Sequence, residues 1–194
     1  MRMSKEAMAR HHEEIVTAAS RMLRERGIEG TSVADLMQAA GLTHGGFYRH
    51  FDSKEALVAE AAQSIYDNLV QGLATKAEKT TEAEAISDYV EKYLTRYHVS
   101  HPGAGCVMAA LGVEAAREGA DVQRVFANGT QRTIDKLAAG LSGTPAERRA
   151  KAIRTLASLV GAVVIARAVG DGALSEEVLA ANREALGGAE QRKR

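Results

Sequence analysis

Residues 31–57 read Thr31-Ser32-Val33-Ala34-Asp35-Leu36-Met37-Gln38-Ala39-Ala40-Gly41-Leu42-Thr43-His44-Gly45-Gly46-Phe47-Tyr48-Arg49-His50-Phe51-Asp52-Ser53-Lys54-Glu55-Ala56-Leu57. The spacing predicts two short helices joined by a tight turn. Val33, Leu36, Met37 and Ala40 recur at i, i+3, i+4 and i+7, which makes one apolar face. Ser32 ahead of that face, with Asp35 three residues on, is a capping-box start. Gly41 provides the backbone freedom that a helix end requires. Thr43 is placed to cap the second helix, whose strong apolar anchors are Phe47 and Phe51. His44, Gly45, Gly46, Tyr48, Arg49 and His50 are then left facing outward. A short helix pinned by two aromatics and presenting donors and glycines suits the major groove of double-stranded DNA.

The same residues carry a resemblance. Arg26-Gly27, Gly30-Thr31-Ser32-Val33, Ala40-Gly41-Leu42-Thr43, Phe47-Tyr48-Arg49-His50-Phe51 and Ser53-Lys54-Glu55-Ala56-Leu57 resemble the TetR/AcrR transcriptional repressors. The motifs cover about residues 10–60, and the rest of the chain matches in being helical and of suitable length. The resemblance implies an all-α fold of about nine helices. A three-helix helix-turn-helix domain would occupy residues 1–53, and an effector-binding and dimerisation domain residues 54–190. It also implies a homodimer on a palindromic operator, released by a small-molecule effector.

Within that frame, Tyr48 donates its hydroxyl to a DNA phosphate, and His50 follows the same logic. Lys54 sits in the first turn of a helix, where the dipole disfavours a cation unless a phosphate is drawn there. Thr31, Ser32 and Thr43 are caps whose hydroxyls could also meet phosphates. Base reading falls to His44, Gly45, Gly46 and Arg49, the last able to pair bidentately with guanine. The chain departs from much of the family at Gly46, where Thr, Ser or Ala often stands. Two glycines cost a helix roughly 1 kcal/mol each against Ala, but let the backbone approach a base edge.

Composition sets the outer limits. Of 194 residues, 45% are apolar, enough for a core, while aromatics are 4% and Trp is absent. The formal charge is zero, and residues 1–60 hold eight Lys/Arg against nine Asp/Glu. Non-specific attraction to phosphates is therefore modest, so affinity has to come from placement and dimerisation. The single cysteine, Cys106, excludes an intrachain disulfide and fits a reducing compartment. Met1–His12 is charged and lacks an apolar signal core. Leu156–Val169 is shorter than the ~20 residues of a membrane span. These features predict a soluble, cytoplasmic protein with no membrane partner.

Along the chain, a first helix is expected from Lys5 to Arg26, stopped by Gly27. A further helix should start at Asp52, paired with Glu55 as a second capping box. It carries Val58, Ala62, Ile65, Leu69 and Leu73, then weakens into a polar connection over Gly72–Thr81. Ile86 to Tyr97 reads as one helix, stopped near His101-Pro102-Gly103. Short and long helices follow around Val107–Ala115 and Asp121–Leu141. Thr144-Pro145 starts another, which becomes apolar all round after Leu156. Val178, Leu179 and Leu186 mark the last helix, and Gln191–Arg194 a charged tail. The doubly apolar helix is either a partner surface or a fully internal core helix of a monomer. The resemblance implies a two-fold interface through Leu156, Leu159, Val160, Val163 and Val164, with Val178 and Leu179 from the last helix.

Tyr66, Tyr93, Tyr97, Met108, Leu111 and Phe126 punctuate inward faces of the second part and either line an effector pocket or are plain core. Cys106 follows Gly103-Ala104-Gly105 at a helix start, with His98 and His101 near in sequence. It reads either as an electrophile- or oxidant-sensing thiol beside the pocket or as a small core residue. His11, His12, His98 and His101 lack metal-ligand spacing, and no cofactor is implied. Nucleophile elbow, phosphate loop and metal motif are all missing, which argues against an enzyme. The competing class is a ligand-independent helical DNA-binding protein, nucleoid- or division-associated, which would differ by having no cavity.

Overall fold

The computed structural model describes residues 4–191, with side chains through residue 187. The expected tail beyond Gln191 and the first three residues lie outside it. Helix α1 (Lys5–Arg26) starts where the Ser4 hydroxyl accepts from the Ala7 amide and ends at Gly27, whose φ is 80°. Helix α2 (Val33–Ala39) opens on the Ser32–Asp35 capping box. The turn closes at Gly41, φ 72°, with the Leu42 amide donating to the Met37 carbonyl at 2.8 Å. A 3-10 segment (His44–Arg49) follows.

Helix α3 (Lys54–Lys79) departs from expectation at both ends. Ser53, not Asp52, caps it by accepting from the Ala56 amide at 3.0 Å. It also runs straight through Gly72, because Leu73 stays buried on its inner face and no breaker occurs before Thr80. Thr81 caps α4 (Glu82–Tyr93). The single helix expected to reach Tyr97 is broken at Leu94. Thr95 there accepts from the His98 amide at 3.2 Å and starts α5 (Arg96–Ser100). A side-chain cap competing with the backbone ladder is a sufficient reason for the break. After a 3-10 turn at Pro102–Ala104 come α6 (Val107–Ala115), α7 (Ala120–Ala139), α8 (Pro145–Ala168) and α9 (Ala173–Gln191). Thr144 and Glu147 form the capping box of α8, with Pro145 in its first turn. Among the described residues the fold is all-α, an N-terminal helix-turn-helix followed by a C-terminal helical domain.

Two apolar cores hold these helices. The first joins Ile15, Leu23, Leu36, Met37, Phe47 and Phe51 to Leu57, Val58, Ala61, Ala62 and Tyr66 of α3. It continues into Val107 and Leu111 of α6 and Val122 and Phe126 of α7. Apolar packing thus crosses residue 53 without interruption. Helices α3 and α7 approach so closely that a Cβ on Gly129 would lie 2.2 Å from the Tyr66 ring. The second core comprises Ile86, Val90, Tyr93, Ile134, Leu137 and the inner face of α8, with Leu179 of α9.

Candidate functional site

The reader surface is built on one deep anchor. Phe47 is fully buried, Phe51 stacks on it at 5.7 Å, and truncating such a ring costs about 3–5 kcal/mol. The segment between Thr43 and His50 is a 3-10 turn rather than the expected α-helix. Two consecutive glycines in six residues cannot sustain the longer ladder, and the tighter turn closes with Gly46 N–H donating to the Thr43 carbonyl at 3.0 Å. Thr43 makes no side-chain cap bond, contrary to expectation, and its hydroxyl remains exposed. His44, Gly45 and Arg49 are exposed, and a Cβ on Gly45 would meet open space. Gly46 differs: its missing side chain points at Met37, 3.5 Å from the terminal methyl, so it serves packing more than an open base edge.

Tyr48 is 72% exposed, its ring edge-on to Phe47. A tyrosine held at the base by an aromatic and free at the hydroxyl is suited to a phosphate. His50 is half-buried, and its Nδ1 has no hydrogen-bond partner among the described residues. Burial, then nearby His12, His11 and Arg49, holds its pKa below the usual imidazole range. Ser32 is exposed but spends its hydroxyl on the Asp35 carboxylate at 2.5 Å. Thr31 leaves the phosphate set: it is fully buried and its hydroxyl donates to the Gly27 carbonyl at 2.7 Å. Lys54 is half-buried and donates to the Ile28 carbonyl at 2.6 Å, so its ammonium ties α3 to the end of α1.

Contacts not foreseen from the sequence bind the reader to the second part. The Glu114 carboxylate of α6 accepts from the Ile28 amide at 2.6 Å. Arg24 of α1 donates to the Gly105 carbonyl at 2.5 Å and, through Nε, to its own Ser20 carbonyl at 2.7 Å. His12 bonds Glu60 at 2.6 Å and stacks on Phe51 at 4.5 Å. The link between the two parts therefore runs through α6 and the loop before it as well as through α3.

A cavity of about 900 Å3 lies between α1, α3, α4 and the 102–106 loop. The structure brings Tyr66, Tyr93, Tyr97 and Cys106 to its wall. Met108, Leu111 and Phe126 do not reach it; Leu111 and Phe126 are buried in the first core and Met108 packs against that core. Arg21, Arg24, Tyr89 and Lys92 line it without having been singled out, and so does His98, noted in the sequence only as a neighbour of Cys106. Thr17, Ser20 and Arg24 at i, i+3 and i+7 form a polar stripe on α1, which was the available signal. His98 braces the wall: Nδ1 lies 2.7 Å from the Tyr93 carbonyl, and Nε2 accepts from the Cys106 amide at 2.9 Å. That pair of bonds requires the neutral ring protonated on Nδ1, and burial lowers its pKa accordingly. Cys106 is half-buried and N-caps α6 without a side-chain cap bond. Among the described residues, no cluster could hold a metal and no helix is long and apolar enough to cross a membrane.

The expected interface residues divide. Leu156, Leu159, Val163 and Leu179 are buried inside the chain's own second core and are withdrawn from any outer surface. Val160 and Val178 are half-buried, and Val164 is 41% exposed. Ile153, Ile165, Val169 and Leu174, not chosen from the sequence, are also exposed apolar residues.

Comparison with known proteins agrees with this architecture. The family model for bacterial regulatory proteins of the tetR family matches residues 15–61. The HTH-type transcriptional repressor KstR2 of Rhodococcus jostii is 41% identical over 56 residues, 29% of this chain and 28% of that protein. An uncharacterized HTH-type transcriptional regulator of Mycobacterium tuberculosis is 28% identical over 166 residues, 80% of this chain and 83% of its own. A TetR transcriptional regulator from Legionella pneumophila superposes with a TM-score of 0.79 at 18% identity, covering 97% of this chain and 99% of that one. With the helix-turn-helix and its buried phenylalanines in place, residues 15–61 carry the DNA-binding domain of the tetR family of bacterial regulatory proteins, and the chain as a whole shares the fold of TetR regulators.

Proposed function

We propose that the protein is a homodimeric, ligand-responsive transcriptional repressor that binds a palindromic operator and is released by a small-molecule inducer. The observation that carries this reading is the exposed Tyr48 at 72%, held beside Phe47 on a segment otherwise free of exposed apolar side chains. Residues 1–53 act as reader and residues 54–190 as effector and dimerisation domain. Tyr48, His50 and Thr43 contact phosphate, while His44, Gly45 and Arg49 face the bases. The apolar outer face of α8, Ile153, Val160, Val164 and Ile165, meets its symmetry copy together with Leu174 and Val178 of α9. The cavity adjoining α1 favours an effector-controlled regulator over a ligand-independent one. KstR2, matched over the reader, is itself named a repressor.

The test is operator selection from random DNA followed by sedimentation of the complex. A palindromic site bound by two chains is expected. A single chain on a non-repeated site, or no selected sequence, would sink the proposal.

A further inference from the structure

We infer that the cavity takes a planar aromatic monoanion, a carboxylate on a fused or single ring, with its acid group received by Arg24 and the Tyr93 hydroxyl. The inference rests on reading the cavity as the effector site and adds the chemistry of what enters it.

Charge comes first. The residues lining the cavity include Arg21, Arg24 and Lys92 but no Asp or Glu. Lys92 is already paired with Asp88 at 2.8 Å. Arg24 has no carboxylate partner among the described residues: its two hydrogen bonds go to the carbonyls of Ser20 and Gly105. Burial lowers its pKa against the opposing pull of Cys106 and Glu25, the sign of a guanidinium stripped of much of its water. An organic anion would supply a counter-ion at a site where screening is weak.

The second observation is independent of charge. Tyr93 is 96% buried (4% exposed), and its hydroxyl lies beside the Cys106 thiol, a weak partner, with no oxygen or nitrogen partner among the described residues. A buried phenol without a strong acceptor is costly, and a ligand acceptor would recover that cost. Desolvation pushes the Tyr66 phenol up to about 12, and Tyr89 and Tyr93 are raised as well. These groups therefore stay protonated at neutral pH and offer donors rather than negative charge.

Shape supplies the aromatic part. Four of the chain's five tyrosines, Tyr66, Tyr89, Tyr93 and Tyr97, line this one cavity. Flat rings offer faces and edges to another flat ring more favourably than to a branched aliphatic body. Because Arg24 belongs to α1 and also holds the Gly105 carbonyl, an acid group drawing on its guanidinium competes with that bond. The competition bears directly on a reader helix.

The experiment titrates the full chain at pH 7 with 2-naphthoate, 2-naphthamide and 2-naphthylmethylammonium, read by calorimetry. Naphthoate should bind about tenfold or more tightly than the amide, and the ammonium not measurably. Tyr93→Phe should weaken naphthoate several-fold, and Arg24→Gln should erase the preference of acid over amide. If Arg24→Gln does not fold, Tyr93→Phe carries the same measurement. Equal binding of acid and amide, preference for the ammonium, or no binding by any probe overturns the inference. Amide that binds best and releases operator overturns the ligand class yet leaves the repressor reading intact. Naphthoate that binds best without altering operator affinity upholds the class and sinks ligand control.

Discussion

The segment His44–Arg49 and helix α8 both face outward, but they are held in opposite ways. The first is a six-residue turn pinned through Phe47 and the adjoining Phe51, and its remaining surface is polar or bare. The second is a 24-residue helix whose inner face is locked by Ala152, Leu156, Leu159, Ala162, Val163 and Ala166, while its outer face is still apolar. A polar surface on a small anchor can exchange water for phosphate at little cost. An apolar surface on a rigid helix gains by leaving water, so it suits a lasting partner more than a transient one. The contrast sets a short polar turn on a small anchor against a long helix whose two faces are both apolar.

The largest expected effect breaks the pairing side. Val164→Asp places a charge on the outer face without touching either core, so the chain should fold as a monomer. Operator affinity should then fall by about a hundredfold or more, the loss of bivalent engagement. Sedimentation velocity and a gel shift on one sample check both halves; a dimer with unchanged affinity would place the interface elsewhere.

On the reading side, Tyr48→Phe should weaken operator and unrelated DNA alike by about 1.5–3 kcal/mol, the worth of a hydrogen bond to a charged group. Arg49→Ala should instead relax preference at particular base pairs by about 1–3 kcal/mol. Site selection on both variants distinguishes these roles, and a changed motif from Tyr48→Phe would reverse the assignment.

His98 sharpens the comparison from between the two surfaces. Its folded-state pKa is depressed below the ordinary ~6.5. The unfolded chain therefore takes up the proton first as pH falls. The stability His98 contributes is whole above about pH 6.5 and is lost progressively below it. His98→Leu leaves the Cys106 amide unpaired and should cost about 1–3 kcal/mol at pH 7.5. It should also make the fall in melting temperature between pH 7.5 and 5.5 shallower than in wild type; parallel curves would show that the ring does not titrate with unfolding.

The smallest effect is Gly45→Ala. Open space surrounds that position, so the added methyl should stabilise the turn by no more than about 1 kcal/mol. The same methyl should weaken operator binding if the backbone there approaches a base edge. Tighter binding would assign Gly45 to flexibility instead.

Local signals were legible where chemistry acts over three or four residues. The Ser32–Asp35 and Thr144–Glu147 boxes and the stop at Gly27 concern groups adjacent along the chain. The helix-turn-helix and its two phenylalanines follow from the same short-range pattern. Errors came where two readings share one pattern. Periodicity marks Leu159, Val163 and Val164 alike as apolar. Only the position of α7 and α9 makes the first two core and leaves the third exposed. Thr31 and Lys54 carry donors suited to phosphates, yet each spends a donor on a backbone carbonyl near the end of α1 that no spacing rule reveals.

What the sequence determined by itself was the all-α class and the reader's location, because these depend on capping, turn and helical-period rules internal to short segments. Of the expected outward set His44, Gly45, Gly46, Tyr48, Arg49 and His50, packing leaves Gly46 and His50 half-buried. Tertiary structure alone decided that Arg24 belongs to a cavity, that Leu111 and Phe126 do not, and that Glu114 and Gly105 tie α6 and its preceding loop to α1. Those contacts join residues some 80 positions apart, Arg24 to Gly105 and Ile28 to Glu114. Such pairings are set by how helices stack around shared cores, and the stacking is a property of all the helices together, not of any one segment's pattern.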